Sequence, residues 1–280
     1  MQKFITLVAT DFSKSSFVVL EKAIVFTQRM GGELHLVHVI ESSFFSKKVD
    51  LGALRENAFL ELNKNFSSLK KENFHCVSGK VKVEIANTAK ILDADIIIMG
   101  NSGETHFLNE FLMGSHTKEI IKHAQTSLLV MKSDHELAYE NIMVLTDMSE
   151  ASASAIKKTA QLFESAKITL VNLYYLPATT VSEISRYGLN EEDVAAYENS
   201  IIDESRQELD SFVNSLMLPK EIDVTAHSIR SSLNPKMFQK EAIGIEHDLL
   251  VIHATQNVSF FAFDILEYSA TDVLIIKQSR

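Results

Sequence analysis

The sequence predicts an α/β protein built as two tandem doubly wound domains, and three observations carry that prediction. Apolar runs of strand length alternate with stretches of helical periodicity along the whole chain. Runs such as Ile96-Ile97-Ile98-Met99 and Leu249-Leu250-Val251-Ile252 are continuous rather than alternating, the mark of parallel strands covered on both faces. Finally, Val8-Ala9-Thr10-Asp11-Phe12-Ser13-Lys14-Ser15-Ser16 recurs 136 residues later as Val144-Leu145-Thr146-Asp147-Met148-Ser149-Glu150-Ala151-Ser152. Two domains follow, 1–134 and 139–280, joined by a short polar seam at 133–140.

In the first half, residues 4–8 read as a buried strand, followed by Ser13 at an N-cap position. Phe17, Leu20 and Ile24 share one face of the ensuing helix, and Gly31-Gly32 ends it by permitting a left-handed cap. Strand 33–40 comes next, then a long connection and a charged helix over 50–71. A short strand at 74–78, a helix near 82–92, a strand at 95–99, a glycine segment, a helix at 115–123 and a strand at 127–131 complete the half. The second half repeats the order. Its expected strands are 142–146, 168–173, 222–226, 248–252 and 272–276, with helices near 151–165, 190–216, 235–244 and 260–267. Pro235 suits the first turn of its helix, where a missing N–H costs nothing.

At 280 residues, 46% apolar and 23% charged, the chain has material for two ordinary globular cores. One cysteine, Cys76, excludes an internal disulfide framework and reads as a half-buried small hydrophobe in a reducing cytoplasm. The first apolar run stops at Asp11, too short for a signal peptide core, and nothing approaches the roughly 18 apolar residues of a membrane span. A net charge of −10 argues against nucleic acid or an anionic membrane as the main partner.

In an open parallel sheet, ligands bind beyond the carboxyl ends of the strands, where strand order reverses. Asp11 sits just past the first strand and Gly100 just past the fourth, so the two could share one crevice. Gly100 and Gly103 let backbone N–H groups approach phosphate oxygens, and Gly114 leads into Ser115 at a helix N-terminus, a ready anion site. Asp11 is an acceptor, suited to a ribose hydroxyl or an adenine amino group. The second half keeps Asp147, but Leu249–Ile252 runs into His253-Ala254-Thr255-Gln256 with no glycine, and residues 257–264 are aromatic and apolar. There Asp147 reads as a turn or capping residue, and the aromatic segment as core. No Gly-x-Gly-x-x-Gly follows the first strand, and neither Gly-x4-Gly-Lys-Ser/Thr nor Gly-x-Ser-x-Gly occurs. His35 and His38, three apart on a strand, point to opposite faces and cannot share a metal. Arg230 reads as a surface ion-pair residue.

Thr10-Asp11-Phe12-Ser13, Met99-Gly100-x-x-Gly103 and Gly114-Ser115 together resemble the universal stress protein family, and the resemblance spans the chain as two copies. It implies a Rossmann-like, five-stranded parallel sheet of order 3-2-1-4-5 in each domain, and ATP, with or without Mg²⁺, in the N-terminal domain only. Carried over by position, Ala9, Thr10, Asp11 and the backbone of Val39 would face adenine and ribose, with Met99 and Gly100 beside the ribose. Gly103, Gly114, Ser115 and His116 would hold the phosphates. One departure is plain: residues 104–113 make ten between Gly103 and Gly114 where the family pattern has nine, and Glu104 and Glu110 add negative charge nearby.

The resemblance implies a cytoplasmic regulator of stress response with an unknown protein partner. The two halves would form a pseudo-dimer within one chain through 127–131 and 272–276, and a further homodimer stays open. No catalytic residue or resident metal is assigned. The alternatives are a nucleotide-free interaction protein, in which the longer loop has deformed the site, and a slow ATPase using His116 or Glu104 with Mg²⁺.

Overall fold

The computed structural model describes residues 3–41, 50–101, 115–132, 139–174, 190–230, 244–254 and 265–277. Ten strands run in chain order: β1 (Ile5–Ala9), β2 (Glu33–Ile40), β3 (Phe74–Ser78), β4 (Ile96–Gly100), β5 (Ser127–Met131), β6 (Asn141–Thr146), β7 (Lys167–Tyr174), β8 (Val224–Arg230), β9 (Leu249–Ala254) and β10 (Asp272–Lys277). The helices are α1 (Lys14–Arg29), α2 (Leu51–Asn65), α3 (Val81–Leu92), α4 (Ser115–His123), α5 (Glu150–Leu162) and α6 (Glu191–Ser215). A 3-10 turn covers Lys71–Asn73 and a helical turn covers 265–268.

The chain divides into two compact units. The first has the strand order β3-β2-β1-β4-β5, all parallel, which is the expected 3-2-1-4-5. The second holds β8-β7-β6-β9, parallel and in the same order through its fourth strand. β10, the last strand of the second half in sequence, groups with the first unit and pairs antiparallel with β5, Val273 opposite Val130 and Ile275 opposite Leu128.

Each unit is centred on its first strand and the two beside it. Leu7, Val8, Ile97 and Ile98 are wholly buried in one, and Met143, Ile168, Leu170 and Val251 essentially so in the other, as continuous apolar runs require. α1 lays Val19, Leu20, Ala23 and Phe26 on the sheet and stops where Gly31 takes φ +59°. Gly32 has no room for a side chain, since a Cβ there would lie 2.5 Å from the Phe4 carbonyl oxygen.

Most element ends fall within two residues of expectation, and three elements differ further. The helix expected over 50–71 ends at Asn65, because Phe66 leaves helical geometry to bury its ring, only 7% exposed. α5 ends at Leu162 for the same reason, with Phe163 turned inward. β8 starts two residues later than expected and ends four later, since its register on β7 runs from Val224 opposite Ile168 to Arg230 opposite Tyr174. The helix expected at 235–244 lies outside the described residues except for residue 244, and that at 260–267 is described only from 265.

Two ties fix α4, the helix behind the glycine segment. Lys82 of α3 pairs with Glu119. Lys277, buried on β10, donates from Nζ to Ile121 O at 2.8 Å, placing an ammonium at the C-terminal, negative end of the α4 dipole. Burial pushes this lysine below its usual pKa. Cys76 is half-buried, and burial pushes its thiol up, the condition of a packed thiol rather than a reactive one.

Candidate functional site

The corner after β1 is assembled from short-range hydrogen bonds that the residue types dictate. Thr10 Oγ1 accepts from Phe12 N–H at 3.1 Å, and Asp11 Oδ1 accepts from Ser13 N–H at 3.0 Å. These two side-chain turns hold Phe12 at φ 64°, a left-handed conformation that costs a non-glycine residue about 1 kcal/mol or more. Ser13 then caps α1, accepting from Ser16 N–H at 3.1 Å, and Ser16 Oγ lies 3.0 Å from Thr10 Oγ1. Thr10 is buried; Asp11 is exposed at the mouth. Burial by itself would raise the Asp11 carboxyl, but hydrogen bonds from Ser13 and Ser16 outweigh it and hold the pKa below the ordinary value. The carboxylate is therefore charged at neutral pH, an acceptor with Oδ1 engaged locally and no ion-pair partner for Oδ2 among the described residues.

β2 outruns β1. The last β1 residue, Ala9, pairs with Val37, and Thr10 N–H donates to Val37 O at 3.0 Å. Gly79 N–H donates to Ile40 O on the opposite side. Because backbone groups alternate sides along a strand, those of Val39 face the same side as Val37, above the end of β1. Val39 thus offers a main-chain donor and acceptor at the corner. Gly100 closes β4, opposite Met131 of β5, and Met99 is buried, so at the mouth Met99 contributes backbone only. Ala9, Thr10, Asp11, Val39 and Gly100 therefore come together at the carboxyl ends of β1, β2 and β4, where the strand order reverses. Gly103 and Gly114 lie outside the described residues. Ser115 and His116 begin α4.

His38 is a member of this corner that sequence reasoning left as a core or edge histidine. Its Nδ1 donates to Thr10 O at 2.9 Å, so the proton sits on Nδ1, and in the neutral ring Nε2 is an acceptor. The ring lies edge-on to Phe12 with centroids 4.6 Å apart, and Phe12 also meets Phe17 and Phe74. His35, as expected, faces the other way, with Nδ1 3.1 Å from His75 Nε2. Only the pairing of distant strands reveals either contact.

The corner is duplicated in four hydrogen bonds and differs in one: Ser149 Oγ donates to Asp147 Oδ1 at 2.6 Å, whereas Ser13 Oγ lies 2.9 Å from Ser15 Oγ. Met148 N–H donates to Thr146 Oγ1 at 3.0 Å, Ser149 N–H to Asp147 Oδ1 at 3.0 Å and Ser152 N–H to Ser149 Oγ at 3.2 Å, while Thr146 Oγ1 and Ser152 Oγ lie 2.9 Å apart. Met148 has φ 60°. Asp147 thus plays the turn role expected of it, and its other oxygen lies 3.3 Å from His253 Nε2. Burial would raise the Asp147 carboxyl, but hydrogen bonds from Ser149 outweigh it, with the His253 charge adding to them, so the pKa falls below the ordinary value. Arg230 pairs with Glu198 at the surface. Among the described residues no three His, Cys, Asp or Glu side chains gather as a metal site, and no helix is long and apolar enough to cross a membrane.

Comparison with known proteins agrees with this geometry. Residues 5–132 match the model of the universal stress protein family. The chain is 30% identical over 151 residues to a universal stress protein of Methanocaldococcus jannaschii, an alignment covering 45% of this chain and 93% of that protein. Among solved structures, a universal stress protein from Archaeoglobus fulgidus aligns over all of both chains with a TM-score of 0.65 at 15% identity. A functionally unknown protein from Pseudomonas aeruginosa aligns over 97% of this chain and 92% of its own with a TM-score of 0.62, also at 15% identity, likewise a likeness of fold. The corner of Thr10, Asp11 and Ser13, the 3-2-1-4-5 sheet and the sequence match converge: the chain belongs to the universal stress protein family.

Proposed function

We propose that the first half binds an adenine nucleotide, ATP, and that the second half serves as its structural partner, in a cytoplasmic protein that regulates stress response through nucleotide-dependent contact with another protein. The observation that carries this reading is the convergence of Asp11, the Val39 backbone and Gly100 on the switch point of the first sheet. The donor set fits the ligand: a charged carboxylate for ribose hydroxyls, strand backbone for the adenine edge, and a residue without a side chain where β4 ends. Gly103, Gly114, Ser115 and His116 would receive the phosphates, and Mg²⁺ would enter with the triphosphate. The ladder of β10 on β5 supports an internal pairing of the two halves, with homodimerisation a further step.

No described side chain is placed as a general base toward the site, so slow hydrolysis is the most that His116 or Glu104 would support. One observation favours a second reading, a nucleotide-free interaction protein: the ten residues between Gly103 and Gly114.

The test is ATP binding by the purified chain. Saturable binding is expected, weakened at least about tenfold by Asp11→Ala, which corresponds to about 1.4 kcal/mol, lost in Gly114→Val and unchanged by Asp147→Ala. No saturable binding at millimolar ATP would defeat the proposal and favour the second reading. Turnover above buffer that disappears in His116→Ala would instead make the protein an ATPase.

A further inference from the structure

The strand registers of the two halves place a different residue beside each acidic corner. β1 pairs with β4 as Thr6–Ile96 and Val8–Ile98, and β6 pairs with β9 as Ile142–Leu249 and Val144–Val251. Laying Thr6 on Ile142 and Val8 on Val144 brings Ile96 onto Leu249 and Ile98 onto Val251. Gly100 then falls on His253. Asp11 falls on Asp147 by the same overlay, and each carboxylate accepts the N–H of the serine two residues on at 3.0 Å. In the first half the strand position beside this corner is a glycine. In the second the carboxylate faces an imidazole that is largely buried, 18% exposed, with Nε2 at 3.3 Å from Asp147 Oδ2.

We propose that His253 is the specificity-determining residue that denies the second crevice to a nucleoside. The inference rests on the nucleotide reading of the first half, because it takes Asp11 and Gly100 as the pattern of an open site. His253 acts in two ways. Its ring stands at the strand position where the first half has a glycine and so no side chain, and it satisfies the Asp147 oxygen that would otherwise meet a ribose hydroxyl. Both the imidazolium and the Nε2–H tautomer donate toward the carboxylate, so the contact needs no charge on the ring. A nucleoside entering here must break that pair and expel the ring, whereas the first crevice asks for neither. The residues below the plug are retained in kind: Thr146, Ser149 and Ser152 repeat Thr10, Ser13 and Ser16, and Asn172 occupies the β7 position equivalent to His38.

The probe is adenosine, which needs no phosphate loop, titrated calorimetrically into the full chain. His253→Gly is expected to raise the number of adenosine sites by one per chain relative to wild type, and His253→Ser to do the same with weaker affinity. Adding Asp147→Ala to His253→Gly should remove the gained site. An unchanged site number in both His253 variants, each shown folded by circular dichroism and a wild-type-like melting transition, overturns the proposal, as does a gained site that survives Asp147→Ala. The choice of ligand separates this from the function above. Nucleotide binding by the first half is judged by the ATP titration alone; if wild type shows no adenosine site, a rise from zero to one in His253→Gly still supports the plug, and zero in both overturns it.

Discussion

The corners at Thr10–Ser16 and Thr146–Ser152 are one structure made twice, yet their surroundings differ in kind. Around the first, Phe12 packs edge-on against His38, Phe17 and Phe74, and Phe17 meets Phe66. Around the second, Met148 occupies the left-handed position, and the carboxylate is taken by His253. The same holds at the opposite end of the sheets. Asp95 accepts from Ile5 N–H at 2.7 Å, and Asp248 accepts from Glu140 N–H at 2.8 Å and Asn141 N–H at 3.2 Å. The shared features are made by residues within a few positions of one another, or by one strand-start aspartate on its neighbour. The differing features come from residues delivered by separate strands. Local hydrogen bonding reproduces a corner; what the corner can hold depends on what the next strand brings to it.

The largest effect should come from the residue that carries the packing difference. Phe12→Gly relieves the left-handed strain but removes the ring contacts, and a net loss of about 3 kcal/mol is expected by urea denaturation. Met148→Gly, at the same backbone angle with no ring to lose, should stay within about 1 kcal/mol of wild type. Equal losses would mean that the aromatic cluster does not distinguish the halves.

A smaller effect tests the likeness. Ser13→Ala and Ser149→Ala each remove a cap that accepts one helix N–H and should each cost about 1 kcal/mol in unfolding free energy. Clearly unequal costs would show that the duplicated corner is alike in geometry but not in energy.

The smallest effect concerns pH. Burial lowers His35 and His75, with the Lys3 charge adding slightly at His35 and the His35 and Arg55 charges at His75, while Glu33 opposes the shift at His35. Their folded pKa values therefore lie below the unfolded value near 6.5, and the unfolded chain takes up protons first as the pH falls. Their contribution is whole above about pH 6.5 and lost as the pH drops toward the folded values. The urea midpoint of the first half should fall over that window, and His35→Gln should flatten the fall. The equivalent β7 position holds Thr169, so no matching slope is expected from the second half. A slope unaffected by His35→Gln would remove this histidine pair as its source.

Much of the molecule was legible in order of residues. β2, β3, α4 and β5 begin and end where the apolar runs predict, and Ser13 caps the first helix from the expected position. The turn role of Asp147 followed from the missing glycine segment after Leu249–Ile252. Less legible were the ends of α2 and α5, where helical periodicity continues but Phe66 and Phe163 gain more by burial than by extending the helix. The left-handed Phe12 and Met148 carried no signal, since neither residue favours that angle; only the side-chain turns on both sides explain it. His38 reads locally as one more strand residue, and the phosphate residues Gly103 and Gly114 lie outside the described residues.

The sequence by itself determined the parallel α/β architecture, the duplication and the two acidic corners, because strand-length apolar runs, N-caps and side-chain turns are properties of neighbours in the chain. Only the tertiary structure decided that Val39 turns its backbone toward the first corner, that His38 supports it, and that His253 stands on Asp147. Those facts depend on register between strands far apart in sequence, and a shift of one residue there would send each of these groups to the other side or face of its strand.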